Sequence, residues 1–124
     1  MSLGTVTPIL RMFDVDKTKD FYVGFLGFNV DWEHRFEEGL PLYMQVSKDG
    51  CVLHLSEHHG DGSPGSAIRI ATTDIDEFHQ RLLASGYRYS RPGVMDTAWK
   101  TREMTIHDPA SNRLTFSTAV DVDQ

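Results

Sequence analysis

Four polar side chains stand where strand alternation turns them the same way: His54, Glu103, Thr105 and Thr115. Successive side chains of a strand point to opposite faces. If Leu53 and Leu55, Met104 and Ile106, and Leu114 and Phe116 pack on helices, then Val52, His54 and Ser56 face the other way. The same rule turns Glu103, Thr105 and His107, and Arg113, Thr115 and Ser117, to that side. A cavity lined by His54, Glu103, Thr105 and Thr115 is expected, with Trp99 at its rim. Trp99 follows Asp96-Thr97-Ala98 in a loop and reads either as a groove aromatic or as a core one. A groove tryptophan would stack on a planar or cationic compound. Glu103 reads equally as the groove's anion or as a partner for Arg102 or Arg113. Phe36 and Tyr43 offer further stacking surfaces or structural aromatics, and Arg102 completes the candidate set.

Six histidines raise the question of a metal, since His54, Glu57, His58 and His59 lie close in sequence. Adjacent His58 and His59 diverge in an extended segment, whereas zinc ligands converge. The plainer reading makes them loop residues, with His54 a polar group in the pocket. The chain has no nucleophile with a neighbouring base, no glycine-rich phosphate loop and no zinc-finger spacing.

The elements that must position these residues come twice. Ile9-Leu10-Arg11-Met12 and Asp16, then a helical stretch closing on Leu26-Gly27-Phe28, return as Ala67-Ile68-Arg69-Ile70, Asp74 and Ser85-Gly86-Tyr87. The offset is 58 residues at the arginines and aspartates and 59 at the glycines; Leu53-His54-Leu55 is answered by Leu114-Thr115-Phe116 at 61. Each copy must bury its apolar face against the other. The first reads as a strand over 6–13, a helix over 17–26 with Phe21, Tyr22, Phe25 and Leu26 on one stripe, and strands over 28–34, 42–47 and 50–56. The second reads as a strand over 67–72, a helix opened by Asp74 and Glu77 as a capping box, and strands over 87–90, 100–107 and 113–118. Residues 108–112, Asp-Pro-Ala-Ser-Asn, form a turn, and the acidic tail 120–124 is expected to fray. The fold class is therefore α+β: two βαβββ modules, about 4–57 and 67–119, joined by a linker over 58–66 in a single domain spanning 1–124.

Composition narrows the partners. With 124 residues, 40% apolar and 24% charged, the chain is an ordinary globular one that buries roughly two-thirds of its unfolded surface. A formal net charge of −6 argues against nucleic acid. No stretch approaches the roughly 20 apolar residues of a membrane span. One cysteine, Cys51, makes no internal disulfide, and the N-terminus lacks the pattern of a signal peptide, so the cytoplasm is expected.

Asp20-Phe21-Tyr22 leading to Leu26-Gly27-Phe28, and Trp99-Lys100-Thr101-Arg102-Glu103-Met104 leading to Asp108-Pro109-Ala110-Ser111-Asn112-Arg113-Leu114, resemble the two module signatures of the vicinal oxygen chelate superfamily. That superfamily includes glyoxalase I, extradiol dioxygenases, fosfomycin-modifying enzymes and bleomycin resistance proteins. The tryptophan-arginine-glutamate form is similar to the bleomycin resistance branch, with Lys100 where that branch usually has glycine. The resemblance implies metal-ligand positions at or near Thr7, His54, Ala67 or Ile68, and Thr115. Only His54 is a competent ligand there, so the divalent ion of the family's enzymes has lost its donors. The resemblance thus implies a non-catalytic protein without cofactor, sequestering a small molecule of the bleomycin-like kind in a groove between the two chains of a homodimer. The alternative is a metal-dependent lyase or dioxygenase with an atypical ligand set built on His54.

Overall fold

The computed structural model describes residues 1–120, so the tail expected to fray lies outside the described residues beyond that point. The strands are β1 (Ile9–Arg11), β2 (Asn29–His34), β3 (Tyr43–Lys48), β4 (Cys51–Ser56), β5 (Ala67–Ala71), β6 (Val94–Asp96), β7 (Thr101–His107) and β8 (Arg113–Ala119). Helix α1 (Val15–Lys19) continues into a π-wound segment, Asp20–Phe25, and α2 is Ile75–Ala84. Two four-stranded mixed sheets result, ordered β1-β4-β3-β2 and β5-β8-β7-β6. In each, the first strand runs parallel to the last and the other pairs are antiparallel. Neither sheet closes on itself. Both press one face on the helices around a single apolar cluster that includes Tyr22, Leu26, Leu55, Met104 and Leu114. Among the described residues no helix is long and apolar enough to cross a membrane.

The repeat is real, but its first strand sits in a different register from the one the arginines suggest. Ile9 pairs with His54, whereas Arg69 pairs with Thr115. The helix caps are Asp14, which accepts from Lys17 N–H at 3.0 Å, and Asp74, which accepts from Glu77 N–H at 3.1 Å. Asp16 lies inside the first turn instead. Arg11 and Arg69 are therefore not equivalents: Arg11 donates to the His58 carbonyl, and Arg69 reaches across the second sheet.

The first strand, expected over 6–13, pairs only over Ile9–Arg11, and two further elements differ from their expected bounds for identifiable reasons. The strand expected over 87–90 forms instead at Val94–Asp96, after Pro92 and Gly93. Tyr87 leaves the sheet to stack on Phe25 at 4.4 Å between ring centroids, with Tyr89 edge-on to it. The first helix widens because Leu26 N–H bonds to Phe21 C=O, five residues back, at 2.9 Å. The β3–β4 hairpin turns on Asp49 and Gly50, both at positive φ, which a two-residue hairpin of this twist requires.

A buried polar knot ties the halves together. Asp108 Oδ2 accepts from Tyr22 O–H at 2.6 Å and Asn112 Nδ2 at 2.9 Å, while its Oδ1 accepts the backbone N–H groups of Ala110 and Asn112, both at 2.9 Å. The same Asn112 amide donates to the Arg11 carbonyl at 2.8 Å. In the connection to β5, Gly62 lies so close to β1 that a Cβ would meet Ile9 O at 2.8 Å.

Candidate functional site

Each sheet turns a polar face away from the core, and each face carries a hydrogen-bonded cluster with a tryptophan beside it. On the first sheet, His54 is opposite Gln45. A bulge in β2 between Val30 and Trp32 aims Asp31 at β3, where its carboxylate accepts from Gln45 Nε2 and Ser47 O–H, each at 3.0 Å. With its amide nitrogen so engaged, Gln45 presents Oε1 to His54 Nε2 at 3.0 Å, which assigns the proton to that nitrogen. His54 Nδ1 is then the acceptor for Tyr43 O–H at 2.7 Å. Trp32 stacks parallel to Tyr43 at 6.0 Å and stands edge-on to His54 at 5.3 Å. The result is an imidazole with both nitrogens committed to hydrogen bonds, under a half-exposed aromatic pair.

On the second sheet the centre is Glu103. Its Oε2 accepts from Arg69 Nη2 at 2.5 Å, Thr101 O–H at 2.8 Å and Ser117 O–H at 3.2 Å. The Arg69 hydrogen bond, then that of Thr101, draws the carboxyl down to about 2 against the opposing effect of burial, with a smaller contribution from the Trp99 side chain. Glu103 is thus an anion throughout the neutral range, and all three of these bonds land on one of its two oxygens. Trp99 is 65% exposed on the β6–β7 turn and takes no part in the core. Further along the same sheet, away from the Trp99 turn, a depression of about 570 Å³ is lined by Arg69, Thr105, His107, Arg113 and Thr115, with the Thr105 and Thr115 hydroxyls 3.1 Å apart.

The turn that carries Trp99 is closed by Thr97 N–H to Thr101 C=O at 2.8 Å and Thr101 N–H to Thr97 Oγ1 at 3.1 Å. It forces Lys100 to φ 67°, the left-handed region. That strain is roughly 1–2 kcal/mol for a residue with a Cβ, offset in part by the larger unfolded-state freedom of glycine. Lys100→Gly should therefore raise stability by about 0.5–1 kcal/mol, read as a higher urea midpoint at unchanged slope.

His54, Tyr43, Glu103, Thr105, Thr115 and Trp99 all lie on open faces, but not around one cavity. His54 and Tyr43 belong to the first sheet and the others to the second, and the depression at Thr105 and Thr115 is lined by neither His54 nor Glu103. Phe36 is 79% exposed in the β2–β3 connection. Arg102 alternates with Glu103 and so points to the helix side, where it pairs with Asp96 and Asp76 at 2.8 and 2.9 Å. The partner of Glu103 is Arg69, neither Arg102 nor Arg113. Trp32, Gln45 and Arg69 escaped the sequence reading; Arg69, alternating with Ile68 and Ile70, carried a signal that strand periodicity alone could have found.

The donor set does not fit a divalent ion. Among the described residues no three of histidine, cysteine, aspartate and glutamate come together as a metal cluster. His54 would have to surrender the Tyr43 hydrogen bond to offer a lone pair, and the position answering it is the neutral Thr115.

Comparison with known proteins agrees with this architecture. A family model described as "Glyoxalase superfamily protein" matches residues 1–123. A bleomycin resistance protein of Geobacillus stearothermophilus is 24% identical over 123 residues, covering 88% of this chain and 92% of the relative. The bleomycin resistance determinant encoded on transposon Tn5 superposes with a TM-score of 0.74 at 22% identity, covering 94% of this chain and 98% of that one. The bleomycin-binding protein of the bleomycin producer Streptomyces verticillus, complexed with copper(II)-bleomycin, does so with a TM-score of 0.69 at 27% identity, covering 98% and 99%.

Proposed function

Because the chain belongs to the glyoxalase superfamily, we propose that it is a non-catalytic binding protein of the bleomycin resistance type. It sequesters a planar or cationic compound in a groove completed by a second copy of the chain. The observation that carries this reading is the pair of open polar faces, one with Trp32 and Tyr43 over His54, the other with Trp99 beside the ionised Glu103. Each face has an aromatic surface for a flat ring system and fixed hydrogen-bonding groups beneath it, yet neither encloses a ligand. Pockets bury most of a bound molecule, so a second wall is needed, and a homodimer supplies it from the same sequence. The relatives named for bleomycin support the ligand class.

Light scattering at micromolar concentration should give twice the chain mass, and calorimetric titration with bleomycin should show saturable binding without turnover. A monomer under those conditions removes the groove from this reading. A dimer that ignores bleomycin keeps the groove and moves the ligand to another planar cation.

A further inference from the structure

A second cleft, about 380 Å³ in volume, opens between the β3–β4 hairpin turn and the start of α2, and shares no residue with the site described above. Both halves of the chain contribute to it. Phe28, Ile70, Phe78 and Phe116 give it an apolar, largely aromatic floor. At one wall Lys48 and Arg81 converge over Gly27. A Cβ built on that glycine would lie 3.5 Å from Lys48 Nζ and 3.8 Å from Arg81 Nη2, and Gly27 itself sits at φ 83°, where a side chain is disfavoured. The Arg81 guanidinium also stands over the Phe78 ring at 5.8 Å. Neither cation belongs to any of the ion pairs among the described residues. Two like charges drawn to one glycine repel, and a single anion placed between them is attracted to both.

Three acids also line the cleft: Asp49, Asp74 and Glu77. Asp74 Oδ1 is engaged as the cap of α2. The three acids outnumber the two cations by one charge, so a polyanion is disfavoured and a single carboxylate is held only where Lys48 and Arg81 face it directly, with an apolar body on the floor. We propose that this cleft binds a small aromatic carboxylate, its rings against the part-exposed Phe78 and Ile70 above the buried Phe28 and Phe116, and its carboxylate between Lys48 and Arg81.

Cys51, the chain's only cysteine, lines the same cleft half-buried and reports on its occupancy. The test follows alkylation of Cys51 by iodoacetamide in the intact protein, with 1-naphthoate as probe and the neutral 1-naphthamide as its isostere. Saturating naphthoate should slow alkylation by at least about fivefold, in proportion to occupancy, while naphthamide at the same concentration leaves the rate unchanged. The exposed Arg81→Met, and the Lys48→Met/Arg81→Met pair, should weaken the naphthoate constant about tenfold or more. A melting curve for each variant confirms that it is folded. Equal protection by naphthamide, undiminished protection in the double variant, or no protection by naphthoate would each overturn the proposal. Trp99→Ala should leave naphthoate protection intact and the double variant should leave bleomycin binding intact, so failure here and failure of the groove reading are separable.

Discussion

Asp108→Ala is expected to lower stability by about 3–5 kcal/mol, because it strips the shared acceptor from several buried donors, each costing about 1–3 kcal/mol when left unsatisfied. The carboxylate is 6% exposed and accepts four hydrogen bonds, from Tyr22 O–H, two backbone N–H groups and Asn112 Nδ2. Alanine leaves all four donors in the core, each at that cost before relaxation. Against a total stability of about 5–15 kcal/mol, such a variant sits near the edge of folding at room temperature. The Tyr22 hydroxyl has the opposite sensitivity: burial first, then Asp108, hold its pKa well above the usual tyrosine range, so it remains a donor at all ordinary pH. Tyr22→Phe removes one donor and leaves Asp108 three, and should cost only about 1 kcal/mol. Urea unfolding of the two variants checks the ordering. Equal costs, or an Asp108→Ala loss below that of Tyr22→Phe, would mean that the knot does not hold the halves together.

Trp99→Ala should weaken binding of bleomycin or of smaller cationic aromatics about tenfold or more, a loss of roughly 1.4 kcal/mol, and should abolish ligand-induced quenching of its fluorescence. The exposed indole face attracts a cation by roughly 0.5–2 kcal/mol. Glu103 adds a Coulombic contribution that salt screens. Because its pKa is drawn below the ordinary carboxylate value, to about 2, this contribution is present at neutral pH and fades only as pH falls toward that value. Glu103→Gln should therefore flatten the salt dependence at pH 7. Arg69 opposes it: the guanidinium that positions Glu103 also neutralises part of its charge, so Arg69→Gln should tighten a cationic ligand and strengthen the salt dependence. Calorimetry of wild type and the three variants at low and high salt reads all of this. Undiminished affinity in both Trp99→Ala and Glu103→Gln would place the ligand on another surface.

The parts legible in the sequence are those governed by periods shorter than the elements themselves. Alternation sorted Met104 from Glu103 and Leu53 from His54, and the Asp74 cap and the turn over 108–112 carry their own chemistry. Pairing between distant segments was harder to read. Arg11 and Arg69 look equivalent in a linear comparison, yet hydrogen-bond register sets Ile9 opposite His54 and Arg69 opposite Thr115. Tyr87 and Tyr89 have strand propensity, but Phe25 on the other half offers Tyr87 a stacking partner, and that packing outweighs local preference. The separation of His54 from Glu103 was invisible for the same reason: alternation tells which way a side chain faces within a sheet and says nothing about how two sheets are set around their shared core.

The close approach of Gly62 to β1 bears on what the protein avoids. Pro8 C=O and Met12 N–H bond to β4, so the groups of Ile9 and Arg11 point to the outer side of the sheet, where Gly62 lies against Ile9 O and Arg11 N. The connecting loop is thereby a cover on a strand margin that would otherwise offer its backbone to any extended chain it met. Two of the other three margins are blunted differently: β2 is broken by its bulge and carries Asp31, Glu33 and His34, and β6 is three residues long and begins after Pro92 and Gly93. A larger residue at 62 would lift the cover without touching the core. The damage would be twofold: a side chain at φ 77° costs roughly 1–2 kcal/mol of folded stability, and uncontrolled strand addition between molecules surfaces as aggregation on heating.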